Sequence, residues 1–328
     1  MGNDSDHIFN EYKQNYHLLK KKLKWHVSDE RVLMMVASFY VIKCKPFNLE
    51  RFMVISEYIK KNVGMFSSLK SSQRFSTAAI LVLQYENPKE KFHEYLEIYE
   101  KLVKGGFARG NFTYIAALSL LESTSEEELE SAIFRAKEVY KEMKRGHRFL
   151  TGQSDYPLAV LLAQLDSPIE VMMSNVDNYY HCLDKSGFRK GNELQFMSHI
   201  LSLQNEVKPD EIIERCCSLM DEFKQSGRRI KTMYYPAIAL LSLLDNHTKE
   251  VSNVMNLYDR LNSDKLFRWH KDMNFMLAIS FIVKNKVEDA SLLSNNLQTT
   301  METILQAQQA AMIAVLASAS VVTTTNTN

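Results

Sequence analysis

Phe92-His93-Glu94-Tyr95-Leu96-Glu97-Ile98-Tyr99-Glu100-Lys101-Leu102-Val103-Lys104 runs directly into Gly105-Gly106-Phe107-Ala108-Arg109-Gly110, and this stretch decides the fold. Leu96, Tyr99, Leu102 and Val103 recur at three- and four-residue steps, the periodicity of an amphipathic helix. A basic last turn followed by glycine is how such a helix ends, because glycine enters the left-handed conformation without Cβ strain. Working outward, Gly64, Gly106, Gly146, Gly187 and Gly227 stand 42, 40, 41 and 40 residues apart. Gly110, Gly152 and Gly191 form a second row, 42 and 39 apart. A fixed period near 40 residues marks a repeat whose units cannot bury their apolar faces alone and stack on their neighbours. Each first-row glycine is expected to close a helix at positive φ.

The runs before these glycines repeat the pattern: 52–62, 92–104, 133–144, 176–185 and 212–225; tyrosine recurs at Tyr58, Tyr99, Tyr140 and Tyr180, Met220 takes the next place, and Tyr258 follows beyond them. Their starts are equally regular. Asn48, Asn87-Pro88, Thr124-Ser125, Ser167-Pro168, Lys208-Pro209 and Thr248 each precede acidic residues. Capping side chains, proline and first-turn acids satisfy the free amides and the dipole of a helix N-terminus. These runs are termed helix B. Before each lies a shorter, more apolar helix A, centred on Ala37, Ala78, Ala116, Ala159, Ser198, Ala239 and Ala278. A helix apolar almost all round is buried on several sides, and its small residues admit close neighbours.

The chain therefore reads as all-α, one helical-repeat domain over residues 1–328, with about seven ~40-residue α-hairpin repeats over 29–295. They form an open α-solenoid or, alternatively, a closed α/α toroid. Residues 296–322 read as a C-terminal apolar helix capping the last repeat, and 323–328 as a disordered tail. The apolar run 310–322 is too short for the ~20 residues a bilayer demands, so no transmembrane segment is expected; peripheral membrane contact through this tail is the lesser reading.

Forty basic against thirty-nine acidic residues leave a net charge of +1, which argues against a protein that works by neutralising nucleic-acid phosphates. The cluster Lys20, Lys21, Lys22, Lys24 reads as the solvated face of a first helix. Four cysteines without a C-x-x-C pair, and an N-terminus without a signal-peptide pattern, read as free thiols in a cytoplasmic protein.

At Gln73-Arg74-Phe75, Glu86-Asn87-Pro88-Lys89-Glu90-Lys91, Gly105-Gly106-Phe107, Thr113-Tyr114-Ile115-Ala116-Ala117 and Asp155-Tyr156-Pro157-Leu158-Ala159 the chain resembles the bacterial domain-of-unknown-function family four thousand and three, nearly end to end. The resemblance implies a bacterial, cytosolic protein and nothing about mechanism.

No zinc or di-iron spacing, phosphate loop or catalytic dyad stands out, so no cofactor, metal or catalytic residue is expected. The polar and aromatic residues at the starts of helix A have positional logic instead: Arg74, Asn111, Tyr114, Asp155, Tyr156, Asn192 and Gln195 occupy similar phases. Their mixed chemistry suits hydrogen-bonded recognition of an extended protein or peptide better than proton transfer. The competing reading is that they cap helix A and pack between repeats. Two functional classes follow: a non-enzymatic binding scaffold, or an enzyme or small-ligand binder with a pocket in a closed toroid.

Overall fold

A computed structural model describes residues 2–289, apart from 66, 122–124 and 205–206, together with Met312. The expected C-terminal capping helix and tail lie outside the described residues, Met312 apart. Those described residues hold fourteen α-helices and three short 3-10 turns, and no strand. The chain divides into two compact units, 1–134 with 309–328, and 135–308.

The first unit holds α1 (Gly2–Leu23), α2 (Glu30–Ile42), α3 (Leu49–Lys61), α4 (Gln73–Gln84), α5 (Pro88–Lys104), α6 (Asn111–Leu118) and the beginning of α7 (Glu126–Gly146). Within it α1 packs on α2, α2 on α4, α3 on α4 and α5, and α5 on α6. The second unit holds the rest of α7, then α8 (Tyr156–Ala163), α9 (Ile169–Lys185), α10 (Asn192–Leu201), α11 (Pro209–Gln225), α12 (Tyr235–Ser242), α13 (His247–Ser263) and α14 (Lys271–Asp289). There α10 packs on α12 and α12 on α14, while α9, α11 and α13 pack in series.

Helices α2, α4, α6, α8, α10, α12 and α14 are the expected A helices; α3, α5, α7, α9, α11 and α13 are B helices. Ala37, Ala78, Ala116, Ala159, Ala239 and Ala278 are all fully buried, as their place on an all-round apolar helix requires. The B helices begin as their caps dictate. Asn48 accepts the Arg51 amide at 2.9 Å, and Ser125 and Glu128 exchange reciprocal bonds of 3.2 Å. The last cap departs from expectation by two residues, Asn246 standing before α13 instead of Thr248.

The glycine rule needs correction. Gly106, Gly187 and Gly227 have φ of 102°, 96° and 75°, but Gly64 and Gly146 are not at positive φ. After the first three, the next amide returns to the helix: Phe107 to Leu102, Phe188 to Leu183 and Arg228 to Phe223, at 3.1, 3.0 and 2.8 Å. That bond closes a Schellman turn, which only a left-handed residue permits. Gly146 instead ends α7, and the helical ladder continues through it, His147 N–H donating to the Met143 carbonyl.

The five junctions that lead into α4, α6, α8, α10 and α12 thus come in two alternating kinds. Those before α6 and α10 pass through Gly110 and Gly191, with φ of 153° and 146° and ψ near −172°, a region open essentially to glycine alone. Those before α4, α8 and α12 use 3-10 turns, Ser68–Lys70, Gln153–Asp155 and Thr232–Tyr234. Gly152, in phase with Gly110 and Gly191, has φ of −130°.

Candidate functional site

The residues at the starts of the A helices fall into both units, and each half is built from its own junctions. In the first unit Arg74 is buried, its Nη1 donating to the carbonyls of Lys70 and Ser71 at 3.0 and 2.7 Å. Its guanidinium carbon lies 4.2 Å from the Phe75 ring centre. Burial lowers the Arg74 pKa, and the carbonyls hold the cation where it is. Tyr114 stacks on Tyr99 with ring centres 3.8 Å apart and planes 8° from parallel, and its hydroxyl lies 3.1 Å from Ser67 Oγ. The backbone carbonyl of Asn111 accepts from Gln73 Nε2 at 3.3 Å, while the residue itself stays half-exposed. Arg74 therefore secures the 3-10 turn before α4, while Tyr114 and Asn111 tie that turn and the start of α4 to the start of α6.

In the second unit Asp155 is buried and accepts the Gly152 amide at 2.8 Å; its own amide returns to the Gly152 carbonyl at 3.2 Å. This ring replaces the left-handed glycine that the alternate junctions use. Burial pushes the Asp155 carboxyl up to about 6, with the Gly152 amide and Ser154 opposing. Tyr156 is buried edge-on to Tyr140, ring centres 4.9 Å apart. Gln195 is buried and donates to Thr151 Oγ1 at 2.9 Å, and Thr151 donates to the Met143 carbonyl at 3.1 Å. One turn on, His199 Nδ1 lies 2.8 Å from the Gln195 carbonyl, so this nitrogen carries the proton. Burial first, then the proximity of His147, holds the His199 pKa down at about 4. Asn192 is the exposed member of the set.

The seven residues divide by role. Arg74, Tyr114, Asp155, Tyr156 and Gln195 face inward into local bonds and ring contacts, and Asn111 and Asn192, each next to an unusual glycine, remain accessible.

A second polar constellation at the start of α14 escaped the sequence reading. The Arg228 guanidinium lies 4.4, 4.9 and 5.4 Å from the ring centres of Tyr258, Phe275 and Tyr234. It donates to the Tyr258 hydroxyl and, at 2.7 Å, to that of Tyr234. Tyr234 in turn donates to Asp272 at 2.5 Å, and Lys231 donates to the same carboxylate at 2.7 Å. Partial burial would raise the Asp272 pKa, but the bonds from Lys231 and Tyr234 hold it below the ordinary value. The signal was present: after the Schellman glycines stand Phe107 and Phe188, then Arg228.

Among the described residues no three His, Cys, Asp or Glu side chains converge as a metal site would require. An open groove of about 690 Å³ in the first unit, lined by His93, Glu97, Lys104, Leu121 and Leu129, also contains the ion pair of Lys101 with Glu126.

The family model for DUF4003, a protein of unknown function, matches residues 15–310. The chain belongs to this family. It is 37% identical over 305 residues to the uncharacterized protein YeaA of Bacillus subtilis strain 168, covering 92% of each chain. No solved structure matches. Membership confirms the resemblance carried by the Gln73, Glu86, Gly105, Thr113 and Asp155 stretches, and this relative is bacterial. Among the described residues no helix is long and apolar enough to cross a membrane.

Proposed function

We propose that this member of the family is a non-enzymatic, cytoplasmic scaffold whose hairpins over 29–295 continue one α-solenoid domain, capped by 296–322, and hold a protein or peptide partner along the A-helix starts. The observation that carries this reading is the serial bracing of successive junctions. Gln73 reaches Asn111 and Tyr114 reaches Ser67 in the first unit; Gln195 reaches Thr151, the Arg189 amide reaches Tyr235, and Lys231 reaches Asp272 in the second. A row of side chains fixed in this way presents a pre-organised surface, which spares a partner part of the ordering cost of binding.

In this reading Arg74, Tyr114, Asp155, Tyr156 and Gln195 set the shape of the row, and Asn111 and Asn192 touch the partner. The enzyme alternative would rest on Asp155, the one row acid whose pKa approaches neutrality. Its carboxylate is already engaged with the Gly152 amide and buried, which favours the structural role.

The test is affinity capture from the native bacterium, followed by titration of the captured partner. Asn111→Ala with Asn192→Ala is expected to weaken binding by about tenfold with an unchanged melting temperature. Asp155→Asn and Tyr156→Phe should change binding only in proportion to any loss of stability. Unchanged affinity in the double asparagine variant, with the fold intact, overturns the assignment of the row.

A further inference from the structure

The junctions that lead from B to A helices differ in kind from those that lead from A to B. The seven B-to-A junctions, counting the one after α1, span 24–29, 62–72, 105–110, 147–152, 186–191, 226–231 and 264–270. They hold eleven Lys and Arg residues against two acids, Asp29 and Asp264. The six A-to-B junctions, 43–48, 85–87, 119–125, 164–168, 202–208 and 243–246, hold three lysines against five acids. A protein of net charge +1 thus segregates its charge by junction. The helix dipole explains basic residues in the last turn of a B helix, but its influence fades beyond that turn, and these eleven residues lie past it.

The exposed apolar side chains follow the same segregation. Among the described residues the four most exposed large ones, Phe149 (98%), Trp25 (85%), Met65 (81%) and Trp269 (78%), all lie in B-to-A junctions. Trp25 and Trp269 are the chain's two tryptophans, and each carries a cation over its ring: Lys24 at 4.9 Å and Arg268 at 5.0 Å from the centroid.

In the second unit these junctions form one edge. Thr151 touches the start of α10, Arg189 the start of α12 and Lys231 the start of α14, so each junction abuts the next. Some cations there are engaged, Lys190 with Asp184 and Lys231 with Asp272. Arg148, Arg189, Arg229, Lys265 and Arg268 are exposed and have no ion pair among the described residues.

We propose that this edge docks on an anionic phospholipid bilayer, the cations meeting headgroup phosphates while Phe149 and Trp269 enter the interfacial layer. The junctions of the first unit, with Lys24, Trp25, Met65 and Lys70, carry the same chemistry. Three observations favour a bilayer over other anionic partners. The apolar groups are protruding tips rather than the lining of a groove, so they need a soft phase to enter. Aromatic rings beside Lys and Arg are the composition of membrane-interface anchors. One face of each indole already has a cation over it, leaving less ring for a nucleobase to stack upon than single-strand binders offer.

The full chain should co-sediment with vesicles of phosphatidylglycerol and phosphatidylcholine, not with pure phosphatidylcholine, and lose that binding as salt rises. Both fluorophores lie on the proposed edges, so tryptophan emission should shift to the blue on binding. The single-tryptophan forms Trp25→Phe and Trp269→Phe report the two units separately. Arg148→Gln and Arg268→Gln should each cost about fivefold in partitioning. Phe149→Ala should weaken binding without changing its salt dependence. The proposal is overturned by full-strength vesicle binding in these variants, which would assign attachment to the apolar C-terminal run, or by binding without a blue shift. It is equally overturned by absence of binding, or by tighter binding to a single-stranded oligonucleotide or to polyglutamate than to the vesicles. Should a variant fail to fold, the emission shifts of the two single-tryptophan forms decide.

Discussion

The junction 186–191 and the junction 147–155 stand one helix pair apart and do the same task with different chemistry. The first turns the chain at two glycines, Gly187 and Gly191, held at φ of 96° and 146°. The second runs its helix through Gly146, then turns on Asp155, whose carboxylate and backbone close a ring on Gly152. Backbone freedom sets the first, and a buried acid sets the second. An even spacing of glycines therefore need not mean an even use of them, and substitutions at equivalent phases should behave unequally.

The largest expected contrast is with pH, because of these two junctions only 147–155 turns on an ionisable side chain. Asp155, raised from 3.8 to about 6, contributes stability that is complete below pH 3.8 and lost as pH rises through 6. His199, lowered from 6.5 to about 4, contributes stability that is complete above pH 6.5 and lost as pH falls through 4. Each shift corresponds to about 3 kcal/mol, with opposite sign, so the two largely offset one another in the wild-type protein. Asp155→Asn should uncover a loss of about 3 kcal/mol between pH 6.5 and 4, measured by denaturant unfolding. Superimposable pH profiles for variant and wild type would remove the acid from the account of this junction.

The core behind the two junctions should not share their difference. Ala116 in α6 follows a glycine junction and Ala159 in α8 follows a 3-10 turn, yet both are fully buried. Ala116→Phe and Ala159→Phe should each overpack the helix contacts and cost about 1–3 kcal/mol or more. A chemical denaturation midpoint unmoved in either variant would show that its helix does not pack as described.

Smaller effects separate the first-row glycines. A Cβ at Gly187 meets nothing within 4 Å, so Gly187→Ala should cost about 1 kcal/mol for conformation alone. At Gly146, in a helix with Asp177 Oδ1 3.8 Å from the added atom, alanine should stabilise by up to about 1 kcal/mol. Thermal melts that move both variants in the same direction would erase the distinction.

These differences explain what could be read from the chain beforehand. The helices and the buried alanines were legible because apolar periodicity and side-chain volume act over a few residues, as Leu96, Tyr99 and Ala159 illustrate. The torsion of a glycine depends instead on where the following amide goes, and nothing local separates Gly146-His147 from Gly187-Phe188 in this respect. At the A-helix starts, polarity was visible but direction was not. Arg74, Asp155 and Gln195 turn inward because carbonyls, an amide and a threonine await them there, and those partners come from turns whose geometry the sequence leaves open. Arg228 was overlooked for a related reason. Its value lies in Tyr234, Tyr258 and Phe275, which are brought to it by three different helical elements.

The alternation of junctions is tested most directly by a matched pair at equal phase, Gly191→Ala and Gly152→Ala, compared by chemical denaturation. Gly191 lies at φ of 146°, where a side chain is strained whatever the space, whereas Gly152 lies at −130° with the nearest atom to an added Cβ 3.9 Å away. Alanine at 191 should cost about 1–3 kcal/mol, and alanine at 152 should change stability by less than about 0.5 kcal/mol. Equal losses at the two positions would contradict the account, because they would mean that both junctions turn on glycine alone.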